Sequence, residues 1–371
     1  MKYFIIAGEP SGDLHASNLI NALRSEDEQA EFQYWGGDKM QEASGIAPLK
    51  HINELAFMGF LEVVQNLFTI LHNFKLCKQQ IQDFKPDVLI LVDYPGFNLK
   101  MAKFAHENGI RSFYYISPKI WAWKQKRVYT IKKNVERMFC ILPFEVDFYK
   151  KFGVKVDYIG NPLMDAIQQH KDEHKDQSKE SKIIALLPGS RKQELHYILP
   201  DMLSVISDFP DYQFVLAATK NLPEELYHEM IGDAKVELVF DKTYDVLDKA
   251  EAALVTSGTA TLETALLNIP QVVCYKANSI SYTIAKNLVK IRFISLVNLI
   301  MDREIVRELI QHDLNKKQIS EELKKIIKGG DGRKKMLDDY AEMQKRVGGN
   351  GASFRAAKLM VNYLKSSHNE A

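Results

Sequence analysis

Short apolar runs alternate with helical segments along nearly the whole chain, and this rhythm constrains the fold more than any other feature. Each run is long enough for one buried strand and is followed by a polar turn and a segment with helical periodicity. The predicted strands cover residues 2–7, 87–92, 111–116, 138–142, 182–187, 213–217, 252–255 and 271–275. Repeated βα units of this kind predict an α/β fold, with parallel sheets covered by helices on both faces.

The predicted strands fall into two sets that are separated by a polar segment. Residues 168–182 (QQHKDEHKDQSKESK) carry only polar or charged side chains, from which no core can be built. We therefore predict a Rossmann-like domain over 1–167, a linker over 168–182 and a second Rossmann-like domain over 183–347. We expect the two domains to face one another across a cleft. The glycine-rich break that begins at Gly348 predicts a separate C-terminal helix within 348–371.

Composition excludes several classes of protein. Lys and Arg number 49 against 48 Asp and Glu, a net charge of +1 that does not favour a nucleic-acid partner. Cys77, Cys140 and Cys274 lie far apart in the sequence, which favours a reducing compartment and argues against a disulfide framework or a zinc ribbon. The sequence has no apolar stretch long enough to span a membrane, and its start is interpreted as a strand rather than a signal peptide. A cytoplasmic location is expected.

Two polar turns in the first half follow predicted strands, where α/β proteins bind ligands. The first is Gly8-Glu9-Pro10-Ser11-Gly12-Asp13, whose glycines permit close approach of a ligand. This turn lacks the GxGxxG spacing of dinucleotide-binding sites. The alternative interpretation is a simple turn that caps the following helix. The second begins with Asp93, after five apolar residues. A carboxyl group there is expected to have a raised pKa and to suit a general base, although a helix N-cap is equally consistent.

Two turns in the second half have the character of phosphate-binding loops. Leu186-Leu187-Pro188-Gly189-Ser190-Arg191 ends in a guanidinium that suits a diphosphate. Residues 256–263 (TSGTATLE) place small residues before a helix, whose first N–H groups favour a phosphate, and Glu263 is placed to accept hydrogen bonds from ribose hydroxyls. The sequence has no DxD, HExxH or GxSxG motif. We therefore expect a site without metal or cofactor, and we assign none of the ten histidines to a metal site.

Seven motifs stand in the order seen in the lipid-A-disaccharide synthase family, which the chain resembles over nearly its whole length. They are AGEPSGD (7–13), MGFLEVV (58–64), DYPGFN (93–98), ISPKIWAWK (116–124), LPFE (142–145), LLPGSR (186–191) and SGTATLE (257–263). The resemblance implies an inverting glycosyltransferase of GT-B architecture. Its reaction joins UDP-2,3-diacylglucosamine to 2,3-diacylglucosamine 1-phosphate, giving the β-1,6 lipid A disaccharide 1-phosphate and UDP.

The resemblance also implies a role for individual residues. Asp93 is expected to act as the general base on the acceptor 6-hydroxyl, with Glu9 beside it. Ser11 and Gly12 belong to the acceptor-side glycine turn. The residues expected to hold UDP are Arg191, Ser257, Gly258, Thr259, Glu263 and Asn298. The chain departs from the family pattern at Val297, where proline is usual, and at Asn161, where histidine is common, so Asn161 is given no catalytic role.

Two further segments suit a protein that handles lipids. Residues 55–71 are apolar beyond one helical stripe, and 119–137 hold seven basic residues against one Glu. Core packing and a solvated face are the ordinary explanations; contact with acyl chains and anionic headgroups is the other. The predicted lipid or membrane contacts are Phe60, Leu61, Val64, Leu67, Lys124 and Arg127. Trp121 and Trp123, two residues apart, share a face only in an extended segment. Core packing is their ordinary explanation, and stacking on a sugar or contact with acyl chains is the alternative.

The resemblance implies a UDP-sugar lipid donor and a lipid monosaccharide phosphate acceptor as partners, at the inner face of the inner membrane. The C-terminal helix is expected either to return to the first domain or to be exchanged within a homodimer. One alternative is another GT-B enzyme that acts on UDP-GlcNAc, such as a peptidoglycan-type transferase or a 2-epimerase. The other is a non-catalytic protein that binds nucleotide sugars or lipids.

Overall fold

The computed structural model describes residues 1–55, 67–174, 182–278, 282–283 and 291–368. These divide into two compact units, one of Met1–Pro162 with Gly349–Ala371 and the other of Leu163–Gly348. Each unit is built around its own parallel sheet.

The first unit contains a sheet of seven strands in the order β3-β2-β1-β4-β5-β6-β7. Its strands are β1 (Lys2–Ala7), β2 (Glu31–Gly36), β3 (Lys50–His51), β4 (Val88–Val92), β5 (Ser112–Tyr115), β6 (Arg137–Cys140) and β7 (Asp157–Tyr158). Every neighbouring pair is parallel. The strand order reverses direction between β1 and β4, so the carboxyl ends of these two strands form the switch point at which α/β proteins bind ligands.

Helices cover both faces of this sheet. They are α1 (Pro10–Glu26), α2 (Asp38–Ser44), α3 (Leu67–Phe84), α4 (Pro95–Glu107), α5 (Arg127–Asn134), α6 (Pro143–Lys150) and, from the end of the chain, α15 (Ala352–His368). Strand β1 shows why both faces are apolar, because Tyr3 and Ile5 are buried in the core on one face and Phe4 and Ile6 in the core on the other. A strand that is buried on both faces needs a continuous run of apolar residues, and this run is the sequence pattern that predicted β1.

The C-terminal helix α15 returns to the first unit and packs against α1. Its residues Met360 and Leu364 are part of the core that contains one face of the sheet. Arg355 Nε donates to the carbonyl oxygen of Ile159 at 2.8 Å, and the hydroxyl of Tyr363 donates to Asp157 at 2.9 Å. Exchange of this helix within a homodimer stays a prediction.

The second unit contains a sheet of six parallel strands in the order β10-β9-β8-β11-β12-β13. The strands are β8 (Ile183–Leu187), β9 (Gln213–Ala218), β10 (Val236–Phe240), β11 (Ala252–Thr256), β12 (Gln271–Tyr275) and β13 (Arg307–Ile310). Its helices are α7 (Leu163–Glu173), α8 (Lys192–Leu203), α9 (Glu224–Ile231), α10 (Thr243–Lys249), α11 (Thr259–Leu266), α12 (Leu296–Met301), α13 (Lys316–Ile326) and α14 (Arg333–Val347). The switch point of this sheet lies between β8 and β11.

All eight strands expected from the sequence are present, with ends that differ from the expected ones by at most two residues. The structure adds β2, β10 and β13, whose apolar residues are interrupted by polar ones, and the two-residue strands β3 and β7. The first part of the segment expected as a linker belongs to helix α7. This helix is held to the second unit through its buried side chains, Ile167 and His170. Among the described helices, none is both long enough and apolar enough to cross a membrane.

Candidate active site

The loops that follow β1 and β4 meet at the switch point of the first sheet. Ala7 and Val92 are register partners at the ends of the two strands, so the residues after them lie side by side. A Cβ atom on Gly8 would lie 2.4 Å from Cδ1 of the Tyr94 ring, which is closer than any real contact. Glycine at this position is therefore what allows the Glu9 turn to approach the Asp93 turn.

Asp93 lies in a backbone conformation that few residues adopt. Its φ is 43° and that of Tyr94 is 45°, both in the left-handed region. The carbonyl oxygen of Asp93 accepts hydrogen bonds from the hydroxyl of Tyr114 at 2.5 Å and from Nδ2 of Asn98 at 2.8 Å. These two buried donors hold a turn that costs about 1–3 kcal/mol per strained residue. Strain that is held in this way is typical of functional positions.

The surroundings of Asp93 make its carboxyl group more basic than usual. Burial, and after it the negative charge of Glu9, raise its pKa, while the Lys119 ammonium and the Tyr94 N–H lower it; the net pKa is about 6. A carboxyl group with this pKa is mostly ionised at neutral pH and still accepts a proton more readily than an exposed aspartate. The structure thus brings Asp93, Glu9 and Lys119 into one electrostatic cluster.

The other residues of the first glycine turn have distinct positions. Glu9 is the N-cap residue of α1 and its side chain makes no capping bond. Ser11 is exposed, whereas Gly12 is buried with its Cβ position 3.4 Å from the Cβ of Ala7. Asp13 accepts from three backbone N–H groups at the start of α2, those of Gly37, Lys39 and Met40, at 2.7–3.2 Å. Asp13 therefore fixes α2 against α1.

A buried glutamate fixes the loop that carries Lys119. Glu145 accepts from Trp121 Nε1 at 3.1 Å and from the backbone N–H of Leu142 at 3.0 Å, and burial raises its pKa to about 7. Trp121 is only 7% exposed, whereas Trp123 is 44% exposed with the Lys124 ammonium 4.1 Å from its ring centroid. The two tryptophans therefore do not share one environment: the first is a core residue and the second is open to solvent.

In the second unit, the loops after β8 and β11 flank the switch point, since Leu187 and Val255 are register partners. Arg191 is the N-cap residue of α8, with its side chain 73% exposed and 3.0 Å from Glu194. This exposed ion pair is weak enough to be exchanged for an anionic ligand. A cavity of about 680 Å³ borders the same loop and is lined by Arg191, Glu194, Tyr275 and Lys276 among others. Its volume is in the range of about 300–1,000 Å³ that is typical of ligand pockets.

The loop after β11 leads into α11 through a glycine. Gly258 has φ 145° and ψ −157°, a conformation that residues with a Cβ rarely adopt, and Thr259 opens the helix. Ser257 Oγ donates to the carbonyl oxygen of Ile294 at 3.0 Å, which fixes the loop from the side. The first N–H groups of a helix have no acceptor within it, so this end of α11 is suited to a phosphate.

Glu263 and Asn298 already have partners within the protein. The hydroxyl of Tyr244 donates to Glu263 at 2.8 Å, and burial raises the pKa of this carboxyl group. Asn298 is fully buried; its Oδ1 accepts from the N–H groups of Ile305 and Val306, and its Nδ2 donates to Glu308 at 2.9 Å. The amide of Asn298 thus stabilises its own loop, and its expected contact with UDP stays a prediction. Neighbouring Val297 is also buried.

The residues expected to touch lipid are only partly described. Phe60, Leu61 and Val64 lie outside the described residues, and Leu67 begins α3. On the same helix Phe68 is 86% and Leu71 55% exposed, and Lys124 is exposed on its loop. Arg127, at the start of α5, is partly exposed.

The sequence alone did not identify every residue of these clusters. Lys119 belongs to the basic stretch of 119–137, and its position in ISPKIWAWK, directly after a predicted strand, is the signal that places it at the edge of the sheet. Tyr244 gave no signal, since nothing in the sequence relates it to Glu263.

Solved structures share this fold over nearly the whole chain. A UDP-GlcNAc 2-epimerase from Neisseria meningitidis bound to UDP-GlcNAc has a TM-score of 0.65 at 14% identity, covering 99% of this chain and 100% of its own. The glycotransferase of kitacinnamycin has a TM-score of 0.67 at 14% identity, covering 98% and 99%. At these identities the likeness concerns the fold alone. Together with the two parallel sheets it confirms the GT-B fold class expected from the sequence.

Sequence comparison identifies the family to which the chain belongs within this fold class. The profile of the lipid-A-disaccharide synthetase family matches residues 3–359. The lipid-A-disaccharide synthase of Myxococcus xanthus is 37% identical over 98% of this chain and 97% of its own, and that of Syntrophus aciditrophicus is 38% identical over 98% of each. The chain therefore belongs to the lipid-A-disaccharide synthetase family, as its motifs implied.

Proposed function

We propose that this protein is a lipid-A-disaccharide synthase that condenses UDP-2,3-diacylglucosamine with 2,3-diacylglucosamine 1-phosphate. The products are the β-1,6-linked lipid A disaccharide 1-phosphate and UDP. The observation that carries the mechanism is the carboxyl group of Asp93, which lies at the switch point of the first sheet with a pKa of about 6. Family membership supports the choice of substrates.

The reaction is a single displacement with inversion at the donor's anomeric carbon. The acceptor 6-hydroxyl oxygen attacks that carbon, its proton passes to the Asp93 carboxylate, and the bond to the UDP oxygen breaks with its electron pair on UDP. Glu9 lies beside Asp93 and keeps it basic, while Lys119 offers a cation for the acceptor's phosphate. Ser11 and Gly12 give the turn its shape near the acceptor.

The second unit supplies groups for the leaving UDP. The N-terminus of α11, with Ser257, Gly258 and Thr259, is suited to the diphosphate, and the Arg191 guanidinium adds a full positive charge. Glu263 is proposed to accept from the ribose hydroxyls. These groups act on negative charge that increases as the bond to UDP breaks, so they favour the transition state more than the bound donor.

Peripheral binding to the inner face of the inner membrane is part of the proposal. The exposed side chains of Phe68, Leu71 and Trp123 offer apolar contacts, and those of Lys124 and Arg127 offer positive charge. Apolar side chains with basic neighbours favour an anionic lipid surface. Such a location brings the enzyme to substrates that carry acyl chains.

The direct test uses the two lipid substrates with the purified chain. We expect UDP and one disaccharide phosphate to be released in equal amounts, detected by mass spectrometry and by a coupled UDP assay. UDP-GlcNAc, offered as donor in a parallel reaction, tests the alternative GT-B enzymes. Equal turnover of this unacylated donor would contradict the proposal, as would a lack of disaccharide from the acylated pair; binding of UDP without turnover would indicate a non-catalytic protein.

A further inference from the structure

Helices α7 and α10 of the second unit bring two histidines and two aspartates together. His170 is on α7 and His174 directly follows the last residue of that helix. The backbone N–H of His174 donates to the carbonyl oxygen of His170 at 3.1 Å, so the helical spacing continues and the two side chains lie on the same side. Asp245 and Asp248 occupy the facing positions of α10. One imidazole nitrogen of each histidine and a carboxylate oxygen of Asp245 lie within 4.8 Å of one another.

Hydrogen bonding leaves one histidine nitrogen ready to bind a cation. His174 Nδ1 lies 2.9 Å from the carbonyl oxygen of His170, which only accepts hydrogen bonds. The proton of a neutral His174 is therefore on Nδ1, and the lone pair is on Nε2. Nε2 lies 3.7 Å from Asp245 Oδ1. A histidine that donates through one nitrogen to a backbone carbonyl and faces a carboxylate with the other is typical of metal ligands.

Asp248 orients the second histidine. Its Oδ2 lies 2.5 Å from Nε2 of His170, and both side chains are mostly buried, with exposures of 17% and 9%. The rings of His170 and His174 are stacked with centroids 4.3 Å apart. A carboxylate in this position fixes the ring orientation of a ligating histidine.

We propose that His170, His174 and Asp245 bind a divalent transition-metal ion, with Zn²⁺ as the best match, and that Asp248 positions His170. Two imidazoles and a carboxylate are a common donor set for zinc, with a water as fourth ligand. Zinc bonds of about 2.0–2.2 Å place tetrahedral ligand atoms about 3.3 Å apart, so the proposal requires these side chains to rotate toward one another when the ion binds. His174 and Asp245 are 32% and 35% exposed, so solvent reaches the site.

A bound ion would link α7 to α10. The site lies beside the proposed ribose-binding residue, since Tyr244, which donates to Glu263, packs against the His170 ring with centroids 5.3 Å apart. This site was not expected from the sequence, in which the ten histidines are scattered. The aspartates that face His170 and His174 lie between about seventy and eighty positions further along the chain. Within the described residues no other cluster of at least three such side chains has this geometry.

The test is zinc binding by the full chain after treatment with a chelator, measured by calorimetry and by competition with a zinc indicator. We expect one Zn²⁺ per chain. His174→Ala and Asp245→Asn should each weaken binding at least about tenfold, and Asp248→Asn about 10–100-fold. His228→Ala is the matched control, since His228 pairs with Glu224 at 3.3 Å on an exposed helix that offers no second histidine, and it should bind as the unmodified chain does.

Two other measurements distinguish variants that lose the metal site from variants that lose the folded structure. Zn²⁺ should raise the melting temperature of the unmodified chain and of His228→Ala, but not that of His174→Ala. Co²⁺ should give the visible absorption of a four-coordinate ion; the three cysteines are buried and do not compete. No binding by the folded, unmodified chain would overturn the proposal, as would equal binding by folded His174→Ala and Asp245→Asn.

Discussion

At the scale of single residues, the proposed catalytic group is held at a cost to stability. Asp93 combines a left-handed backbone with a carboxyl group whose pKa is raised by burial and by Glu9. The left-handed backbone opposes folding at any pH, and burial of the carboxyl group opposes folding when that group is ionised. Tyr114 and Asn98 hold the turn through its carbonyl oxygen, so the conformation does not depend on the charge of the side chain.

Asp93→Asn is expected to lower turnover by at least about 100-fold while UDP binding is retained, because the amide cannot accept the proton. In the unmodified enzyme kcat/KM, which reports ionisations of the free enzyme, should fall about tenfold per pH unit below pH 6 as Asp93 becomes protonated. Both are measured by UDP release and by UDP titration calorimetry. Turnover of Asp93→Asn within threefold of the unmodified enzyme would remove Asp93 from the mechanism.

The same substitution should not destabilise the fold at high pH. The folded pKa of Asp93, about 6, lies above the unfolded value of about 3.9, so its stabilising contribution is complete below pH about 4 and is lost as the pH rises through 6. Asparagine tolerates the left-handed backbone and stays neutral. At pH 8 we expect Asp93→Asn to melt at the same or a higher temperature than the unmodified chain.

That difference in melting temperature should shrink toward pH 4, because Asp93 is then protonated and resembles the amide. Asp233→Asn on an exposed loop is the matched control and should leave the melting curve unchanged at both pH values. A melting temperature at pH 8 that falls well below that of the unmodified chain would show that the Asp93 charge stabilises the fold.

At the scale of secondary-structure elements, the close approach of the loops after β1 and β4 depends on the absence of a side chain at Gly8. The β1–α1 loop lies against the Tyr94 ring at Gly8. Elsewhere, Glu145 on α6 holds the Trp121 loop through buried hydrogen bonds. Both contacts join segments that are distant in sequence. The positions of the loops at this edge of the sheet therefore depend on packing between secondary-structure elements.

Gly8→Ala is expected to lower both stability and activity, because its Cβ would overlap the Tyr94 ring unless one loop moves. Overpacking of this kind costs about 1–3 kcal/mol, measured by chemical denaturation. Gly96→Ala is the matched control: no atom lies near its Cβ position and it is within α4, so it should be neutral or slightly stabilising. Equal stability of the two variants would contradict this role for Gly8.

At the scale of the whole molecule, an average charge near zero conceals local differences. The net charge of +1 suggests no preference for an anionic surface. The first unit nevertheless exposes Phe68 and Leu71 on α3, and Lys124 beside Trp123. The proposed membrane contact depends on these local features, which composition does not reveal.

A Phe68→Ser/Leu71→Ser variant is expected to sediment less with vesicles that contain anionic lipid, because it lacks two exposed apolar contacts. Lys124→Gln/Arg127→Gln should weaken binding to the same vesicles by about 2 kcal/mol, or roughly 30-fold, and have little effect with neutral vesicles. Phe354→Ser is the control, since Phe354 is 49% exposed on α15. Unchanged sedimentation of both double variants would locate any membrane contact elsewhere.

The sequence by itself determined the two sets of βα units and the carboxyl-end position of Asp93, Arg191 and the Ser257 turn. Those features follow from the local pattern of apolar strands and polar turns, which the chain carries within a few residues. Only the tertiary structure decided that Lys119 and Glu9 share the surroundings of Asp93, that Tyr244 meets Glu263, and that His174 meets Asp245. Such pairs depend on the packing of elements far apart in sequence, and no local pattern encodes their distances.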